Sequence, residues 1–355
     1  MSLVPRTIRA HERTWTVGRA WPAADGGSDL EVTAPGVEGV RVGSWRDGVV
    51  EIETGLHDRR LPSLADWATR GEIVSWRRGR RAVVRVGDEY VKIVRPAAAS
   101  SVVAAHVSAE TFRRGFAVPE VIGSGDEQEQ GVVRLSRLPG RTLCELGADT
   151  RLDDAVVERA WNAWAEGWER VLGSGAGTVA GSGSGAGSAP GRRHTGADEC
   201  AVLQRWVGDA AGFARDGDDL RRRADRLTEQ LGDDSGATFV ASHRDLHDKQ
   251  VLVADDGRVG LLDLDTATEA EPALDLGNLR AHVAWRGVQN RLSAARAVIA
   301  RGAIDRVARS AGIDAERLDV YEAATRMRLG AVYVFRPAWR DAALTWLDGA
   351  TQMSR

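Results

Sequence analysis

Apolar and polar positions alternate, without a helical period, through roughly the first 60 residues, at 14–17, 40–45 and 49–53. Gly26-Gly27, Pro35-Gly36 and Asp47-Gly48 supply turns between them. This predicts a hairpin-rich strand segment, and the simplest placement adds its strands to the sheet that follows. A short helix at 61–70 precedes three strands over 72–94, joined by the turn Trp76-Arg77-Arg78-Gly79-Arg80-Arg81 and by Gly87-Asp88. A helical period then runs over 101–115, with Ser100 or Ser101 as cap and Val103, Val107 and Phe112 on its inner face. Residues 118–122 and 132–135 read as strands around a polar turn at 123–130.

The second half changes period. Val156, Val157, Ala160, Trp161, Trp164, Trp168, Val171 and Leu172 form a tryptophan-rich helical stripe over 152–172, better suited to core packing than to stacking a sugar. Residues 173–191 are almost all Gly, Ser and Ala and predict a flexible linker between helices. Two helices with charged faces follow over 198–232. The last helices begin after Asp275, with Trp285, Val298, Ile304, Leu318, Leu329, Val332 and Phe335 inward.

Between these helices lies the stretch that organises the rest. A polar loop, 243–250, runs into Val251, Leu252 and Val253; Asp256-Gly257 turns the chain, and 259–262 returns to Asp263. The hairpin brings Asp245 at its entrance and Asp263 at its exit into one cleft. Two carboxylates with the amide of Gln250 between them suit a magnesium-nucleotide site, since Mg²⁺ takes one or two carboxylates plus substrate phosphates and a separate carboxylate must receive the proton of an attacking hydroxyl. By position Asp245 is the base or orienter, and Asp263 with Gln250 the metal ligands.

Composition narrows the partners. The 355 residues carry a formal charge of −3, which argues against a general nucleic-acid or membrane-surface binder. Cys144 and Cys200 lack metal-ligand spacing, and neither a secretory signal nor a membrane span is visible, so a reducing cytoplasmic setting is the default. Lys92 and Lys249 are the only lysines beside many arginines, which makes each informative: an ammonium is a compact charge that can reach nucleotide phosphates.

The run His243-Arg244-Asp245, five residues to an amide and eighteen to Asp263, resembles the catalytic and metal loops of kinases. The continuation L-L-D-L-D-T-A-T-E-A-E-P-A-L-D-L-G-N-L resembles the aminoglycoside phosphotransferase branch, which also holds choline and sugar kinases. Asp245, His247 and Gln250 in D-x-H-x-x-Q are similar to the loop of maltokinase-like and glucosamine kinase-like enzymes, where the wider family has Asn in place of Gln. No Phe-Gly follows Asp263 and no A-P-E lies beyond it, unlike protein kinases.

The resemblance covers about residues 72–340 and implies an α+β, bilobal protein-kinase-like fold with a small β-rich amino lobe and a larger, mainly helical carboxy lobe. It divides the chain into a β-rich addition at 1–70, a nucleotide-binding lobe at 71–138 and a catalytic lobe at 139–355. It implies Mg²⁺ and ATP, with GTP left open, and a small hydroxylated acceptor. Lys92 would contact the α- and β-phosphates, held by Glu110, and adenine would bond to the main chain around Leu135, Ser136 and Leu138. His243 would brace the catalytic loop and Asp275 support it; Asp265 is secondary. Lys249 is left between contacting the transferred phosphate and capping the loop. The helices at 198–232 would wall the acceptor site, where Asp209, Asp216, Asp218, Asp219 and Asp225 could meet a polycationic substrate, although arginines offset them; Arg336, Trp339 and Arg340 could close over it. The expected function is phosphoryl transfer to a hydroxyl of an aminoglycoside, sugar or related natural product. A nucleotide-sensing module without catalysis, or a protein kinase, are the alternatives.

Overall fold

Five strands open the chain: β1 (Thr7–Ala10), β2 (Arg13–Pro22), β3 (Ser28–Thr33), β4 (Arg41–Arg46) and β5 (Val49–Ile52), antiparallel in sequential order. The computed structural model to which they belong describes residues 3–107, 109–173, 193–232 and 237–349; most of the predicted linker at 173–191 lies outside these residues. The five strands make a sheet of their own rather than extending the next one, contrary to expectation. The reason is burial. Val4, Ile8, Trp15, Val17, Leu30 and Val32 share a single core with residues of the carboxy-terminal helices, and a sheet needs one apolar face covered.

After α1 (Leu64–Ala68), the strands β6 (Glu72–Arg77), β7 (Arg81–Val86) and β8 (Glu89–Val94) form the second sheet, which β9 (Val132–Ser136) completes in the order β6-β7-β8-β9. Directly after β8 come α2 (Pro96–Val107) and the one-turn α3 (Glu110–Arg113). The predicted single helix at 101–115 is therefore two, and it begins earlier. Pro96 opens α2, as proline favours a first helical position. Ser100 and Ser101 consequently lie inside α2 rather than at its cap, the buried residues are Ala99, Val102 and His106, and Val107 is 70% exposed. Residues 118–122 form no strand and make one isolated bridge, Val121 to Leu135. The polar turn beyond contains α4 (Gly125–Glu129), started by a reciprocal capping box between Ser124 and Glu127.

The large lobe begins with β10 (Arg141–Thr142), α5 (Leu143–Ala148) and α6 (Asp154–Gly173). Trp161, Trp164 and Trp168 of α6 are 1%, 0% and 1% exposed, so the stripe is core and offers no sugar platform. Then come α7 (Gly196–Ala211), α8 (Gly217–Leu231), β11 (Val240–Ser242), β12 (Val251–Val253), β13 (Val259–Leu261) and β14 (Thr268–Ala270). The chain closes with α9 (Pro272–Val288), α10 (Ala294–Ser310), α11 (Ala315–Val334) and α12 (Arg340–Gly349). The expected inward residues of these helices are buried or half-buried except Val298, which is 72% exposed on α10. No helix among the described residues is long and apolar enough to cross a membrane.

Candidate active site

The hairpin at the centre forms as its pattern predicts. β12 and β13 pair antiparallel with Val251 opposite Leu261, Gly257 takes the left-handed conformation at φ 82°, and β10 joins the same small sheet. Apolar Val251, Val259 and Leu261 root the hairpin in the lobe's core, so the polar loop before it and the carboxylates after it are carried to the cleft side.

One histidine ties the two loops together. The ring of fully buried His243 accepts the Asp245 N–H at Nδ1 (3.3 Å) and donates from Nε2 to Leu262 O (2.7 Å), so one neutral tautomer serves both contacts. Asp245 and the residue before Asp263 thus hang from the same imidazole. Asp275 supports this loop as expected: its carboxylate accepts from Ser242 Oγ (2.8 Å), His243 N (2.7 Å) and Arg244 N (2.8 Å). Burial pushes the Asp275 carboxyl up and these donors pull it back. Arg244 (φ 67°) and Asp263 (φ 57°) both adopt the left-handed conformation, uncommon outside glycine, at the two ends of the unit.

A signal in α9 escaped the pattern analysis. Asp275, Asn278, His282 and Arg286 stand three, four and four residues apart, so they share one helix face, and all four are buried. Each meets the next part of the loop 243–250. Beyond the Asp275 contacts, Asn278 Nδ2 donates to Leu246 O (2.8 Å), the His282 ring lies 4.7 Å from that of His247, and Arg286 clamps Asp248 with contacts of 2.8, 2.8 and 3.1 Å. A D-x-x-N-x-x-x-H-x-x-x-R spacing on an otherwise apolar helix marks such a face.

His247 also meets Gln250, whose side-chain amide is 3.4 Å from Nε2. His247 Nδ1 accepts the Lys249 N–H at 3.2 Å, and it is the amide nitrogen of Gln250 that lies towards Nε2. Burial lowers the pKa of His247 and lowers that of His282 further, which keeps both rings neutral. Lys249 itself is exposed.

Lys92 does not meet Glu110. Its ammonium lies 2.9 Å from Asp263 Oδ1 and 2.6 Å from Asp265 Oδ1. Glu110, beyond the end of α2, has a side chain 83% exposed and among the described residues reaches only Arg113, at 3.8 Å. The residue that α2 turns inward is His106, with Nε2 3.5 Å from Asp265 Oδ1. Burial would raise both acids, yet Lys92 and Arg81 hold the Asp263 carboxyl far below the usual range, and His106 and Lys92 hold Asp265 down. Glu110→Ala is therefore expected to leave the unfolding free energy within about 0.5 kcal/mol of wild type, as surface changes do, and the nucleotide KM within twofold. A tenfold rise in that KM would restore Glu110 as the lysine's partner.

The turn 76–81 is pinned from outside its own sheet. Asp58 accepts from Gly79 N (2.7 Å) and Trp76 Nε1 (3.2 Å), while Glu31 accepts from Trp76 N (3.0 Å) and Ser75 Oγ (3.2 Å). Both acids are 7% exposed. Asp58→Ala strands three donors, the Arg60 N–H at 2.9 Å being the third, at about 1–3 kcal/mol for each buried one, and frees the turn. The expected result is a nucleotide KM raised several-fold with kcat less affected, measured by steady-state kinetics.

At the hinge Leu135 is buried, and the amides of Ser136 and Arg137 are engaged by Glu120 O (2.9 Å) and Asp88 O (3.1 Å). Leu138 packs over Gly260 of the hairpin, where an added Cβ would come within 2.9 Å of it. The expectation that Arg336, Trp339 and Arg340 close over the acceptor changes. Arg336 Nη1 donates to Ala20 O (2.8 Å), Arg340 Nη2 donates to Val4 O (2.6 Å), and Trp339 packs against the shared core, so this end of the chain holds the first sheet. Asp216 caps α8, and Asp218 and Asp219 pair with Arg221, Arg222 and Arg223, the arginines expected to offset them.

The sequence of residues 74–313 matches the model of the phosphotransferase enzyme family. The chain belongs to this family. It is accordingly a phosphotransferase of the small-molecule kinase type, an enzyme that transfers a phosphoryl group to a hydroxyl. No curated protein matches. Among solved structures, an aminoglycoside phosphotransferase from Streptomyces rimosus, in complex with ADP and streptomycin, is similar at 19% identity over 71% of this chain and 90% of that one, TM-score 0.49. A choline/ethanolamine kinase family protein from Mesorhizobium loti shares 17% identity over 82% and 92%, TM-score 0.49. A glucosamine kinase in complex with glucosamine, ADP and inorganic phosphate shares 16% over 96% and 94%, TM-score 0.46.

Proposed function

We propose that this phosphotransferase moves the γ-phosphoryl group of ATP, with GTP as a second donor to be tested, to a hydroxyl of a sugar, aminoglycoside or related small natural product. The observation that carries the reading is the His243 ring, which fastens Asp245 on one side and the approach to Asp263 on the other. An acceptor-side carboxylate and a phosphate-side carboxylate are thereby kept at fixed separation, as in-line transfer requires.

Asp245 aligns the acceptor hydroxyl and receives its proton. Lys92 holds phosphate oxygens once it leaves Asp263. The oxygens of Asp263 and Gln250 suit Mg²⁺, and the ammonium now bridging Asp263 and Asp265 marks a place built for positive charge. Bound there, Mg²⁺ would supply neutralisation of the phosphate charge. Arg81, 3.8 Å from Asp265 Oδ2, sits beside the same phosphates.

The test is phosphoryl transfer from Mg-ATP to a panel of aminosugars, maltose-like sugars, aminoglycosides, nucleoside antibiotics and choline, read by product mass. A product with one acceptor class, lost in Asp245→Asn, is the expected result. Nucleotide binding with no product from any class would count against the acceptor range proposed.

A further inference from the structure

Three residues of α2 turn into the amino lobe: Ala99, Val102 and His106, three and four positions apart on one face. The first two pack with Val94, Val133 and Leu135 of the second sheet, an apolar cluster that gives a histidine no reason to continue the stripe. His106 is nevertheless 1% exposed, and among the described residues neither of its ring nitrogens has a hydrogen-bond partner. A buried polar side chain left unbonded calls for an explanation. Its Nε2 lies 3.5 Å from Asp265 Oδ1, just beyond the roughly 2.7–3.2 Å of a made N–H···O bond.

Asp265 is not free to move away. It belongs to the 3₁₀ turn Leu264–Thr266, which packs on α2, is rooted by fully buried Leu264 and is tied to the loop 243–250 by Thr266 Oγ1 donating to His243 O (3.0 Å). Its side chain is 14% exposed, and the Lys92 ammonium that holds it at 2.6 Å bridges to Asp263 as well. Once that ammonium turns to the phosphates, as the kinase reading requires, Asp265 is a largely buried anion whose other nearby cation is Arg81, at 3.8 Å on a half-exposed side chain. A buried carboxylate without a donor is costly. The His106 ring, with both nitrogens unused, stands beside it.

We propose that His106 is a positioning residue for nucleotide binding: when Lys92 leaves Asp265 for the phosphates, the Nε2–H of His106 closes on Asp265 Oδ1 and keeps that carboxylate from drawing the lysine back. This rests on the kinase reading above and deepens it. A neutral imidazole with its proton on Nε2 is sufficient, and no proton changes hands. An acid at this place on α2 would hold the lysine itself; a histidine holds the lysine's former partner, so the ammonium is released rather than retained.

The test uses the full chain and the non-hydrolysable nucleotide Mg-AMP-PNP, titrated by calorimetry, with unfolding of the nucleotide-free protein followed in parallel. His106→Leu fills the space and removes the donor. It is expected to weaken Mg-AMP-PNP at least about fivefold, while the nucleotide-free protein unfolds within about 2 °C of wild type because Lys92 still holds Asp265 there. His106→Gln, whose amide can also donate, is expected to restore affinity to within about twofold of wild type. In an Asp265→Asn background the leucine change should cost less than about twofold, since no carboxylate then needs the ring. Affinity unaltered in His106→Leu overturns the proposal. So does a loss of the same size in the Asp265→Asn background, which would route the effect elsewhere, and so does a lowered unfolding midpoint without rescue by glutamine, which would make the ring a part of the core alone. A wild type that binds no Mg-AMP-PNP would fail the kinase reading and this inference with it; binding that is present but indifferent to His106 fails this inference alone.

Discussion

Asp245→Asn is expected to lower kcat by about 10²–10⁴-fold, the span of a positioned general base, with nucleotide affinity within twofold of wild type. That fall corresponds to about 3–5 kcal/mol of barrier at 1.36 kcal/mol per decade. The substitution is nearly isosteric and keeps the backbone N–H that His243 Nδ1 accepts, so the loop should hold its shape. The loss then belongs to the carboxylate. Single-turnover measurements with saturating nucleotide separate transfer from product release, and transfer retained within tenfold would remove Asp245 from the role assigned to it.

Arg286→Met should instead strike stability. Arg286 and Asp248 are 2% and 3% exposed and bonded through three contacts, with Arg286 also donating to Gln289 Oε1 at 2.7 Å. Removing one member of a buried pair leaves the other charge without compensation, a loss of about 3–5 kcal/mol. For a chain of this length that lowers the unfolding midpoint by about 5 °C. Replacing both together, Asp248→Leu with Arg286→Met, should recover most of it. Burial alone would raise the Asp248 carboxyl, but Arg286 outweighs burial and holds it below its usual value. A depressed carboxyl stabilises the fold above its unfolded pKa of about 3.9 and loses that contribution as pH falls through the folded value. The gap between wild type and Arg286→Met should therefore persist from neutral pH to about pH 4 and narrow below it. A difference under about 1 kcal/mol at pH 7 would mean the pair holds little.

The parts of the site legible from the chain were those written in local order. The hairpin lies within one short stretch whose turn and alternation leave few arrangements, and the Asp275 carboxylate reaches the main chain of His243 and Arg244. The partner of Lys92 was misread because it depends on helix phase. Pro96 starts α2 several residues earlier than the apolar period suggested, which turns His106 inward and leaves Glu110 beyond the helix end. The first sheet was misplaced for a different reason: alternation reveals that a face is buried, not what buries it. Glu31 illustrates this, since beyond its pairing with Arg19 its carboxylate accepts from Trp76 and Ser75, more than forty residues away. The four-residue face of α9 was readable in principle, as polar residues at helical spacing, yet an apolar-stripe search passes over it.

The clasp between β2 and the residues after α11 bears on how the chain becomes a protein. Ala20 and Arg336 are 316 positions apart, and their bond is joined by a second between Ala20 N and Phe335 O. A ribosome adding about 5–20 residues per second needs roughly 15–60 s to span that interval. Through all of it the strands carrying Trp15, Val17 and Val32 exist without the helices that cover them. An early sheet with an uncovered apolar face is a surface for chaperones or for self-association, so yield in a cell is governed by the wait for the last hundred residues more than by the strength of the finished core.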